Sequence, residues 1–130
     1  MEDMLALEHR VWQRVAGVRS PEDDLQEALE ALIHLGRNQA AGLKRHSRNL
    51  QQQEAENLAL LTALYHLRFG KRLPKRKSPG PDRDNCRSRA EKMLRLYIRL
   101  ENHRELGPLF THLTRVQRAT CAALGHAHKS

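Results

Sequence analysis

A chain of 130 residues with a formal net charge of +8 is long enough for one domain with a self-supporting core. Leu, Ala, Arg, Glu and Gln dominate, while Val occurs only at Val11, Val15, Val18 and Val116 and Ile only at Ile33 and Ile98, which excludes a strand-built fold and predicts an all-α one. Two cysteines, Cys86 and Cys121, do not make a disulfide framework; the acidic opening Met1-Glu2-Asp3-Met4 is unlike a signal peptide, and no apolar run approaches the ~20 residues that span a bilayer.

From residue 1 the apolar positions Met4, Leu7, Val11, Val15 and Val18 follow the 3-to-4 spacing of one helical face, with Trp12 beside it. Glu2, Asp3 and Glu8 suit the positive end of that helix's dipole. A second helix is announced by Ser20-Pro21-Glu22-Asp23: a hydroxyl at the N-cap, proline at the first helical position, and acids in the first turn. Its buried face is expected to be Leu25, Leu29, Leu32 and Ile33, with Gly36 as the C-terminal cap.

From Asn38 to Phe69 only Gly42 disfavours helix. Taken whole this segment would be ~48 Å long, so it either spans the molecule or breaks near Asn49 to Gln53. Its second half carries the stripe Leu58, Leu61, Leu64 and Tyr65.

Residues 70–87 change character. Gly70, Pro74, Pro79, Gly80 and Pro81 forbid a continuous helix, and the run between them is strongly basic. Ser88-Arg89-Ala90-Glu91 has the form of a capping box, opening a helix with Met93, Leu96, Tyr97 and Leu100 on one face. Gly107-Pro108 ends that helix and starts the last, whose expected face is Leu109, Leu113, Val116 and Leu124.

These elements predict a compact α-bundle of five or six helices with a basic Pro/Gly-containing loop. Residues 1–69 form its N-terminal helices and 70–87 a basic loop or linker. Residues 88–124 form a helical hairpin packed on the first part, and 125–130 a tail.

Charge is unevenly spread. Residues 1–36 hold eight acids against three bases, and residues 37–130 hold seven acids against twenty bases, so a net of −5 is followed by one of +13. Such asymmetry suits a polyanionic partner for the second part and a different role for the first.

Two clusters carry that expectation. Arg37, Lys44, Arg45 and Arg48 occur without an intervening acid, and the 4-3-4 spacing of Arg37, Ala41, Lys44 and Arg48 places them on one face of a continuous helix. Lys71, Arg72, Lys75, Arg76 and Lys77 put five cations in seven residues, a pattern that serves phosphate contacts or nuclear import. A third run, Arg95, Arg99 and Arg104 with Arg87, Arg89 and Lys92 upstream, is diluted by Glu91, Glu101 and Glu105 and is expected to pair locally.

Of the five aromatics, Trp12, Tyr65, Phe69, Tyr97 and Phe110, all but Trp12 fall on or near apolar stripes and are expected in the core rather than in a base-stacking platform. Cys86, His103, His112 and Cys121 match no zinc spacing, and neither a phosphate loop nor a catalytic triad is present, so no metal, cofactor or catalysis is expected.

The expected function is that of a small basic accessory protein contacting the phosphate backbone of DNA or RNA through Arg37, Lys44, Arg45, Arg48 and the loop cations. The acidic N-terminal helices would serve a homo-oligomer or a protein partner. The alternative is a helical adaptor or assembly factor whose loop is only a nuclear localisation signal. Either protein would be intracellular, and nuclear where the cell has a nucleus, with no membrane association.

Overall fold

The computed structural model describes residues 20–71, Leu73 and residues 85–129, without the side chains of 126–129. The described residues are all-helical and form four helices: α1 Pro21–Leu43, α2 Arg48–Phe69, α3 Cys86–Leu100 and α4 Gly107–Lys129. That is fewer than the five or six expected; the helix expected over residues 4–18 lies outside the described residues.

α1 begins as its sequence dictates. The Ser20 hydroxyl accepts a hydrogen bond from the Asp23 N–H at 3.1 Å, Pro21 takes the first helical position, and Glu22, Asp23 and Asp24 fill the first turn. Its end corrects the expectation: Gly36 does not cap the helix but lies buried in its interior. The stripe Leu25, Leu29, Leu32 continues at the same 4-3 spacing through Gly36 and Gln39 to Leu43. A Cβ on Gly36 would meet Leu58 Cδ1 at 3.2 Å, so this glycine marks a close approach of α2.

The long helical segment also breaks earlier than Asn49 to Gln53. Lys44 to His46 form a turn, held by His46 N–H and Ser47 N–H donating to Leu43 O, each at 3.0 Å. Ser47 is the physical cause of the restart: its hydroxyl accepts from the Leu50 N–H at 3.3 Å as the N-cap of α2. α2 buries Glu54, Asn57, Leu61 and Tyr65, and ends at Gly70, whose φ of 70° is the left-handed conformation that glycine reaches without a Cβ clash.

The expected capping box at Ser88 is likewise corrected. The N-cap of α3 is Asn85, whose side-chain oxygen accepts from the Ser88 N–H at 2.7 Å, so Ser88 sits inside the helix as the donor. α3 ends at Leu100, and residues 101–106 turn the chain into α4. There the Gly107 N–H donates to His103 O at 2.9 Å, while His103 Nδ1 accepts from the Glu105 and Leu106 N–H groups at 3.2 and 3.1 Å.

α1 packs against α2, α3 against α4, and α1 against α3, so two antiparallel hairpins meet along their first helices. Leu25, Leu29, Leu32, Ile33, Leu61, Tyr65, Met93, Tyr97, Phe110 and Leu113 form the main core. A smaller cluster of Leu43, Cys86, Ala90 and Leu124 closes one end. In α4 the buried face is Phe110, Leu113, Gln117, Thr120 and Leu124, whereas the expected Leu109 and Val116 are only half-buried.

The other end is tied by charge. Arg68 donates to Glu22 at 2.6 Å and to Glu105 at 2.9 Å, joining α2 to α1 and to the turn before α4, and Arg99 pairs with Asp24. No helix of the described residues is long and apolar enough to cross a membrane.

Candidate functional site

The break at Ser47 decides where the first basic cluster lies. Arg37 stays in α1, where its guanidinium donates to Leu73 O at 3.1 Å, and Arg48 opens α2 beyond the turn. The expected single face through Arg37, Ala41, Lys44 and Arg48 therefore does not exist, because a turn interrupts the helix on which it depended.

What the turn produces instead is a corner. Lys44 and Arg45 are exposed in the turn and Arg48 is exposed at the first residue of α2, with His46 and Asn49 exposed beside them. The first turn of α2 holds no acid. Its free N–H groups add the positive end of the helix dipole to three side-chain charges. No described residue forms an ion pair with Lys44, Arg45 or Arg48.

Chemically this corner offers flexible charge-assisted donors to an anion arriving from solvent. It offers little else. Tyr65, Tyr97 and Phe110 are buried and Phe69 is half-buried, so the described aromatics present no flat platform for bases.

The loop cluster is placed apart from the corner. Lys71 is exposed just beyond the end of α2, and the helix rise puts it roughly 33 Å from Arg48 along the helix axis. Arg72, Lys75, Arg76 and Lys77 lie outside the described residues.

Of the third run, Arg87 pairs locally with Glu91 at 3.4 Å, whereas Arg99 pairs not with a neighbouring acid of its own run but with Asp24 of α1. Arg89 is the exception, being buried. Its Nε donates to Gln39 Oε1 at 3.0 Å and its Nη2 approaches Cys86 Sγ at 3.4 Å, while Gln39 Nε2 donates to Cys86 O at 2.8 Å. A residue expected on a basic surface thus holds α3 against α1.

Glu54 is the other polar group that composition hides. It is 2 % exposed, Oε1 has no hydrogen-bond partner among the described residues, and burial pushes its carboxyl up to about 7. Burial, with the Glu54 charge second, pushes the Tyr97 phenol up as well. Glu54 and Arg89 were both missed as buried groups, although each lies in register with an apolar core position: Leu61 follows Glu54 by seven residues, two helical turns, and Met93 follows Arg89 by four.

Cys86 is buried and Cys121 half-buried, both as free thiols, and burial pushes the Cys121 thiol up. Among the described residues no three His, Cys, Asp or Glu side chains gather as a metal site. No family model matches the chain, nor does any curated protein or solved structure.

Proposed function

We propose that the protein binds the phosphate backbone of nucleic acid, with the corner of Lys44, Arg45 and Arg48 as its contact and the loop cations from Lys71 to Lys77 as a second. The observation that carries this is the exposed corner itself, three cations at a helix N-terminus with no acid in the first turn. Phosphate oxygens are the anions that lysine, arginine and helix N-termini hold in protein–DNA contacts.

With its described aromatics in or near the core, the protein reads backbone and shape rather than base edges. Its role is accessory and non-catalytic, inside the cell and in the nucleus where there is one. A homo-oligomer or protein partner would engage the acidic N-terminal part. The adaptor reading draws on the exposed Leu67 and Leu60 of α2, which are 81 % and 41 % accessible.

Purification under native conditions with and without nuclease distinguishes the two. Co-purifying nucleic acid that is lost from a Lys44→Ala, Arg45→Ala, Arg48→Ala variant supports phosphate binding. A protein free of nucleic acid, with no affinity for added duplex or single strands, refutes it.

A further inference from the structure

The two halves of α2 are held in different ways. From Leu61 onward the helix is anchored by buried Leu61 and Tyr65. The Tyr65 hydroxyl donates to Glu30 of α1 at 2.7 Å, and Arg68 bonds Glu22 and Glu105. From Arg48 to Asn57 the buried side chains are Glu54 and Asn57, with Leu50 half-buried. Asn57 Oδ1 accepts from Gln53 of its own helix at 3.5 Å. Among the described residues no side-chain hydrogen bond or ion pair joins this first half to another helix.

Glu54 stands where three helices meet. A Cβ on Gly36 of α1 would lie 3.5 Å from Glu54 Oε1 and 3.7 Å from Met93 Cε of α3, so the missing side chain on α1 lets α2 send a carboxyl toward α3. Oε1 has no hydrogen-bond partner there, and neither has the Tyr97 hydroxyl. A neutral carboxyl tolerates such a place far better than a carboxylate does. No neighbour offsets that cost. Among the described residues α1 and α4 bury no titratable group, and α3 buries Cys86, Arg89 and Tyr97. The Arg89 guanidinium is engaged with Gln39 at 3.0 Å, and Tyr97 is a phenol whose own ionisation the Glu54 charge opposes.

We propose that loss of the Glu54 proton to solvent detaches the first half of α2, Arg48 to Asn57, from α1 and α3, while the second half stays docked. The turn of Lys44 to His46 supplies a hinge at one end, and fully buried Leu61 is the first apolar anchor at the other. Detachment carries Glu54 into water. The apolar contact surrendered is that of Leu50 with the cluster of Leu43, Cys86, Ala90 and Leu124. Such an opening exposes far less surface than unfolding does. Burial holds the docked carboxyl up at about 7, so the device works across neutral pH. It stands whether or not the corner beside Arg48 binds phosphate.

Amide hydrogen exchange in the full-length protein, followed by NMR and corrected for the intrinsic rate at each pH, reads the opening directly. The amides of Gln52 to Asn57 should lose about tenfold in protection from pH 6 to pH 8, since the docked carboxyl titrates at about 7 and the released one at 4.5. They should also be less protected than Leu61 and Tyr65 at both pH values, and insensitive to urea below the unfolding transition. Glu54→Gln should hold the protection of Gln52 to Asn57 constant over the same range, and Glu54→Leu repeats the test should the first variant not fold. Protection and urea sensitivity equal to those of Leu61 and Tyr65 overturn the proposal, because the opening is then global unfolding. So does protection that is unchanged from pH 6 to pH 8 in the unmodified protein, or a tenfold fall that survives in the Glu54 variants.

Discussion

The Arg89 guanidinium donates to the Gln39 side-chain oxygen at 3.0 Å, and the space it uses exists because position 42 has no side chain. A Cβ on Gly42 would lie 2.5 Å from Arg89 Nη2 and 2.9 Å from Cys86 Sγ. α1 therefore carries a glycine in its last turn for the benefit of a buried arginine on α3.

Gly42→Ala is expected to destabilise the fold, although alanine is the better helix former by ~1 kcal/mol. Overpacking costs ~1–3 kcal/mol, and here it also displaces a buried cation from its acceptor, so a net loss of about 1–2 kcal/mol should appear in urea unfolding. Gly125→Ala is the control. Among the described residues nothing beyond its own stretch of helix lies within 4 Å of the Cβ site there, and the helix-propensity gain of up to ~1 kcal/mol should appear alone. Equal effects at both glycines would remove the steric explanation.

Glu54 sets a pH dependence of unusual sign. Its folded-state carboxyl titrates near 7 against an ordinary 4.5, so between those values the unfolded chain gives up a proton that the folded chain keeps. Stability must then fall as pH rises through that window, by about 3 kcal/mol in total. Glu54→Gln keeps the shape and removes the titration. The variant should be about as stable as the parent at pH 5, more stable at pH 8, and nearly flat between. A parent whose stability rises from pH 5 to 8 would contradict the buried carboxyl.

Leu29 and Leu61 are both fully buried in the main core. Alanine at either should cost ~2–5 kcal/mol. Ser47→Ala should cost ~1 kcal/mol through the lost cap, and the loss should persist in high salt because a neutral hydroxyl makes the bond. A Ser47 variant without measurable loss would place the helix restart elsewhere.

The sequence showed the all-α class, the Ser20 cap and the stripe Leu25, Leu29, Leu32 because spacing and capping chemistry are local. The end of α1 and the break after it were misplaced. A glycine is read as a stop, yet Gly36 packs closely against Leu58 inside the helix; and the break expected near Asn49 to Gln53 comes earlier, where a turn at Leu43 gives Ser47 a cap to make. The stripe carried the missing signal, since extending its 4-3 spacing past Gly36 reaches Gln39 and Leu43. Arg89 and Glu54 were hidden because a charged residue is by default placed in water. Only the neighbouring helix reveals that Gln39 receives the arginine.

The salt dependence of binding tests the corner and the loop separately. Each phosphate neutralised on duplex DNA contributes a slope of about −0.9 to log K against log salt. Lys44→Ala, Arg45→Ala, Arg48→Ala removes three cations that are exposed and unpaired among the described residues, so folding stability should change by at most ~0.5 kcal/mol per site. If all three contact phosphate, the slope should flatten by up to about three units and affinity should fall at every salt concentration. Lys75→Ala, Arg76→Ala, Lys77→Ala makes the same measurement on the loop. Loss in both variants assigns phosphate contacts to two positions, with Arg48 and Lys71 at opposite ends of α2, which favours a long duplex over a short single strand. Loss in the corner variant alone leaves the loop as an import signal, and that loop variant should stay cytoplasmic in a nucleated cell while binding at full strength. Unmodified protein that binds no polyanion with a salt-dependent slope refutes phosphate recognition altogether, and the acidic N-terminal part, with its excess of five negative charges over residues 1–36, becomes the surface on which to seek a protein partner.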